Sequence, residues 1–252
     1  MNIGITERGD AALSVDTWVS KLDTVDCAIL ITKNCANRKF QKALLKNKKK
    51  LILHATCTFL GGSIVEPNVP KAKEIFYALN WLIEQGFPAT QVVLRVDPIL
   101  GSRQITQLSK HIESFIELGI KRFRFSFADF YPHVKRRFEK AGINLPTLAN
   151  DNFNLAFSER EECLNRISNL VNTYKVSFES CGEFINKDAF PLISVIGCVS
   201  EKDLQILKIK ERPTLSSFKQ RKTCLCLPKK ELLEVRGRCS HECLYCYWKD
   251  FE

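Results

Sequence analysis

No stretch of this 252-residue chain approaches the ~18–20 apolar residues that a membrane span requires. The first ten residues, Met1 to Asp10, carry acidic side chains and no apolar core, so no signal peptide is expected. An acidic excess is also missing: 38 Lys+Arg face 28 Asp+Glu, a formal net charge of +10. That excludes an acidic solvating protein and favours a polyanionic partner. There is no P-loop, no G-x-G-x-x-G and no H-x-E…P-C-x-x-C deaminase signature. Neither an internal repeat nor a low-complexity tract is visible.

What is present is a globular composition, 45% hydrophobic and 26% charged. A chain this long buries roughly 70–75% of its unfolded surface and needs no disulfides for stability. A cytosolic location is expected, where the eleven cysteines would be reduced. Eleven is odd, so complete pairing is impossible. Core packing and metal ligation remain as their roles.

Apolar runs alternate with helical spacing. Strands are predicted at Ile3–Thr6, Cys27–Thr32, Leu51–Cys57, Gln91–Asp97, Lys121–Phe127 and Lys175–Ser180, with a weak one at Leu192–Val195. Helices are predicted between them, among them one starting at an N-capping Asp16, and Lys71–Gln85 with Ile75, Leu79 and Leu82 on one face. About six strand–helix units imply a parallel sheet. The predicted fold is α/β, a partial (β/α)6 TIM-like barrel; a flat doubly wound sheet is the alternative. Residues 1–207 read as scaffold. Residues 208–252 read as a basic, cysteine-rich tail that docks on the barrel mouth and holds five of the eleven cysteines.

The tail contains Arg238-Cys239-Ser240-His241-Glu242-Cys243-Leu244-Tyr245-Cys246-Tyr247-Trp248, with C-x3-C-x2-C spacing. Three thiolates this close can cap one face of a 4Fe–4S cube and leave the fourth iron without a protein ligand. Such an iron can chelate S-adenosylmethionine and pass it an electron, giving a 5′-deoxyadenosyl radical that abstracts hydrogen. A structural zinc site completed by Cys224 or Cys226 is the other reading of the same string. Cys224 and Cys226 are also candidates for a second iron–sulfur or zinc site, with Cys57, Cys181 and Cys198 as further contributors. Cys27, Cys35 and Cys163 read as packing residues.

The string resembles the cluster motif of the radical S-adenosylmethionine superfamily. Cys239, Cys243 and Cys246 match its cysteines, and Tyr245 its aromatic near the adenine. Glu7-Arg8-Gly9-Asp10, Thr32-Lys33-Asn34, Glu66-Pro67-Asn68-Val69-Pro70, Arg95-Val96-Asp97-Pro98-Ile99 and Cys243-Leu244-Tyr245-Cys246-Tyr247 extend the likeness. They are similar to a bacterial and phage family labelled radical S-adenosylmethionine-like or DNA repair photolyase, after spore photoproduct lyase. In most of the superfamily the cysteines follow the first barrel strand; here they lie in the C-terminal tail. The resemblance implies a lyase or oxidoreductase that repairs or modifies DNA, with flavodoxin or ferredoxin as electron donor.

Ligands of parallel α/β folds bind at the carboxyl ends of the strands. Gly61, Gly62, Glu66, Arg95 and Ser126 are therefore candidates to bind the cofactor. Arg95 and Asp97 share one strand face, and either pair with each other or bind ligand. Asp97 and Glu183 are catalytic candidates, and Cys57 and Cys181 candidate hydrogen donors. Lys46–Lys50 and Lys135–Arg137 are candidate phosphate contacts, and Tyr247 and Trp248 could stack on a base. A zinc-stabilised nucleic-acid-binding protein without redox chemistry is the alternative function; an iron–sulfur protein that does not use S-adenosylmethionine is a third.

Overall fold

A computed structural model of the chain describes residues 1–213, 224–233 and 239–247. Its centre is one parallel sheet of eight strands. These are β1 (Ile3–Ile5), β2 (Cys27–Thr32), β3 (Leu51–Thr56), β4 (Val92–Ile99), β5 (Arg122–Phe127), β6 (Ser177–Ser180), β7 (Ile193–Val195) and β8 (Lys230–Glu231). The spatial order is β7-β6-β5-β4-β3-β2-β1-β8. Seven strands follow chain order, as strand–helix repetition dictates. The eighth comes from the tail and pairs with β1, Gly4 against Lys230.

Helices fill the connections: α1 (Val15–Val19), α2 (Arg38–Asn47), α3 (Ala72–Glu84), α4 (Ser102–Glu117), α5 (Pro132–Lys140) and α6 (Phe157–Tyr174). Their apolar stripes close on one face of the sheet. In α3 the buried positions include Ile75, Leu79 and Leu82, the spacing read from the sequence. The N-cap of α1 is Ser14, with Asp16 inside the first turn, not at the cap. Cys35 and Cys163 pack in this core.

A second apolar cluster lies on the opposite sheet face. It joins Ile3, Ile5, Cys27, Ile29, Ile52 and Val93 to Leu204 of a short seventh helix, α7 (Glu201–Ile206). Asp203 of α7 bonds Arg122 of β5, and the adjoining Lys202 bonds Glu179 of β6. In a flat sheet β1 and β6 would stand ~24 Å apart. The sheet therefore curls around α7. It does not close: β7 and β8 are its two edges and are not paired with each other. The α/β fold with a parallel sheet expected from the sequence is present, with eight strands where six strand–helix units were expected, and the sheet is not a closed barrel. The two-residue β8 has no hydrophobic signature, so only its pairing with β1 reveals it. No helix among the described residues is long and apolar enough to cross a membrane.

The inner face changes character along the strands. Register aligns Thr56, Arg95, Arg124, Glu179 and Ser194 in one rung from β3 to β7. Glu179 is fully buried and binds both Arg122 Nε (3.0 Å) and Arg124 Nη2 (2.5 Å). Burial opposes ionisation, but Arg122, Arg124 and Lys202 pull the carboxyl down to about 2. Asp203 holds Arg122 with one oxygen and caps α7 with the other, which accepts from Ser200 N and Oγ. This network fixes α7 within the curl.

Candidate metal centre

A cavity of about 520 Å³ opens beyond this rung, at the carboxyl ends of β1 to β5. Glu7, Thr32, Lys33, Thr56, Asp97 and Ser126 line it from those strands. Cys239, Cys243, Tyr245, Cys246 and Tyr247 line it from the tail. The polar residues expected past apolar strands thus meet the cysteine string on one cavity wall.

The cysteine segment is held on two sides. His241 lies between the Asn68 carbonyl, 3.1 Å from Nδ1, and Asp10 Oδ2, 2.9 Å from Nε2. Asp10 also accepts from Thr32 Oγ1, Lys33 N and Ala12 N. Burial opposes ionisation of Asp10, yet these donors hold its carboxyl below the ordinary range. Leu244 N donates to the Val65 carbonyl, and Asn68 Nδ2 to the Ser240 carbonyl. On the far side Arg137 Nη2 donates to the Cys246 carbonyl at 2.6 Å, and Asp129 N to Tyr247 Oη.

Glu66 anchors the middle of the segment. It is fully buried and accepts from Thr58 Oγ1 (2.5 Å), Lys33 Nζ (3.0 Å) and the Tyr245 hydroxyl. Burial pushes its carboxyl up, but Lys33, Thr58 and Tyr245 together bring it below the usual value. The turn presenting Glu66 depends on Gly61: a Cβ there would lie 2.1 Å from the Pro70 carbonyl oxygen. Gly61, Gly62 and Glu66 do not line the cavity; Glu66 instead holds Tyr245 and Lys33, which do.

Arg95, Asp97 and Ser126 do line the cavity. Asp97 accepts from both Arg95 and Ser126 Oγ, so the two charges on one strand face pair with each other. Glu183 accepts from Phe127 N and pairs with Arg160 at 2.9 Å, away from the cavity lining. Cys57 is buried in the helix-side core, where burial pushes its thiol up to about 12. A hydrogen donor must reach the cavity, and neither Cys57 nor Cys181 lines it. Of the basic runs, Lys48–Lys50 directly precedes β3 and so lies at the amino end of that strand, opposite the carboxyl ends that border the cavity. Trp248 lies outside the described residues.

Two thiol sets emerge. The sulfurs of Cys181, Cys198 and Cys226 lie within 4.8 Å of one another, a group that could hold a metal ion. Cys224 is not in it. Among the described residues no other such set of three His, Cys, Asp or Glu ligand atoms is found; Cys239, Cys243 and Cys246 line the cavity. A single tetrahedral ion needs its sulfurs ~3.8 Å apart, whereas a polynuclear iron–sulfur group takes each thiolate on a different iron. Three thiols close in sequence that border one cavity are a donor set either group could take. Sequence reasoning did not single out His241 or Lys33 as partners of the motif. Their roles depend on Asp10 and Glu66, which are remote in sequence.

Fold and site thus define an open, curled parallel α/β protein with a cysteine-rich cavity at the carboxyl edge of its sheet. The chain belongs to the family described as "Domain of unknown function (DUF1848)", which matches residues 12–248. No curated protein and no solved structure matches it.

Proposed function

We propose that the chain is a radical S-adenosylmethionine enzyme that holds a 4Fe–4S cluster on Cys239, Cys243 and Cys246. The observation that carries this reading is the C-x3-C-x2-C set, all three of whose cysteines line one cavity at the strand carboxyl ends. A cluster there would supply one-electron reduction of the sulfonium and a carbon radical for hydrogen abstraction.

The protein's own residues provide the rest. Glu66 and Lys33 fix the Tyr245 ring, with the Lys33 ammonium 5.2 Å from its centroid. Arg95, Asp97 and Ser126 offer a cation, an anion and a hydroxyl for the amino-acid and ribose parts of the cofactor. The net charge of +10 favours a nucleic acid or nucleotide as substrate, in repair or modification. A small flavodoxin- or ferredoxin-like protein would deliver the electron.

The test is anaerobic reconstitution with iron and sulfide, followed by dithionite and S-adenosylmethionine. Brown protein that forms 5′-deoxyadenosine supports the reading, provided that C239A, C243A and C246A each lose both properties. Colourless protein with stoichiometric zinc on the same thiols favours a zinc-stabilised nucleic-acid binder instead. A cluster without cleavage identifies an iron–sulfur protein of another kind.

A further inference from the structure

We infer that Cys181, Cys198 and Cys226 are the protein ligands of a separate, mononuclear site for a thiophilic divalent cation such as zinc. The inference does not depend on the tail cluster.

The three thiols come from three segments that the fold forces together. Cys181 directly follows β6, Cys198 lies between β7 and α7, and Cys226 belongs to the tail. Ile196 N bonds the Ser180 carbonyl, and Leu227 N bonds the Val199 carbonyl, so backbone pairing sets the approach. A Cβ on Gly197 would fall 2.4 Å from Cys226 Cα. Glycine is therefore required where the tail crosses. The sulfurs already lie within 4.8 Å of one another, and closing to the ~3.8 Å of a tetrahedral zinc site needs only side-chain adjustment.

The surroundings suit thiolates. Cys198 N donates to Cys226 Sγ at 3.1 Å, and Lys229 Nζ lies 3.6 Å from the same sulfur. Arg124, 1% exposed, keeps Nε and Nη1 without an acceptor among the described residues, and Arg95 keeps Nε. Three thiolates and one divalent cation carry a net charge of −1, and the neighbouring cations Arg95, Arg124 and Lys229 are ion-paired with Asp97, Glu179 and Glu7 respectively. Of the three, Cys198 also lines the cavity that holds Asp97 and the tail cysteines.

The test uses the full chain carrying Cys→Ser at 239, 243 and 246, freed of metal and titrated anaerobically with Co²⁺. One equivalent should bind, with thiolate-to-cobalt charge-transfer absorption and tetrahedral visible bands. C181S, C198S and C226S should each abolish that signal, while C224S leaves it intact. K229A should weaken binding roughly 10–100-fold, as loss of an outer partner does. In the unsubstituted chain, Zn²⁺ should protect Cys181, Cys198 and Cys226 together from maleimide labelling read by mass spectrometry, a result independent of variant folding. Absence of joint protection overturns the inference. So does Co²⁺ binding indifferent to C226S, or acid-labile sulfide assembled at these three cysteines.

Discussion

At the scale of single residues, buried charges carry the largest consequences. The ordinary carboxyl value of 4.5 for Glu179 falls to about 2 on folding. Its contribution, about 3 kcal/mol, is therefore complete above pH 4.5 and lost as pH falls toward 2. E179Q should flatten that part of the stability–pH curve. At neutral pH it should cost about 3–5 kcal/mol, because Arg122 and Arg124 lose their shared anion. Urea unfolding at several pH values checks both. His241 offers a milder case. H241A removes the link between Asp10 and Asn68 and should cost about 1–3 kcal/mol. Iron retained after reconstitution should fall with it, while far-UV circular dichroism stays unchanged. Equal iron retention would show that His241 does not position the cysteines.

Among the elements, legibility followed hydrophobic pattern. β2, β3 and α3 were readable because continuous apolar runs and regular helical spacing state their environment directly. α5 was missed because only Val134 and Phe138 are buried in it, too few to raise a periodic signal. β8 was missed because Lys230 and Glu231 enter the sheet through backbone pairing alone. The cysteine string was legible through its spacing, and the cavity lining at Arg95, Asp97 and Ser126 through strand alternation. The thiol group at Cys181, Cys198 and Cys226 was legible only in fragments, since a tail crossing at Gly197 creates it. G197A forces a Cβ into Cys226 and should displace the 224–227 segment. Faster protease cleavage in the tail and loss of the Co²⁺ signal are expected; unchanged values of both would contradict the close approach.

For the whole molecule, the tail is part of the sheet and its core, beyond supplying thiols. Leu232 and Leu233 are buried, and Tyr245 and Cys243 join the same cluster. A chain ending at residue 213 would lose β8 and both leucines. Truncating two buried leucines alone costs about 4–10 kcal/mol, comparable to the entire stability of a domain. Calorimetry should show that this shortened chain has no cooperative transition near that of the full one. An unchanged melting temperature would mean that residues 1–213 fold independently.

The central claim is that the tail cysteines bind iron to activate S-adenosylmethionine. Its most direct measurement is the 5′-deoxyadenosine released when reconstituted protein meets dithionite and S-adenosylmethionine without oxygen. Release by the intact chain, falling to background in C239A, C243A and C246A, is the predicted result. Release that persists in those three variants, or none from a fully loaded intact chain, would contradict it.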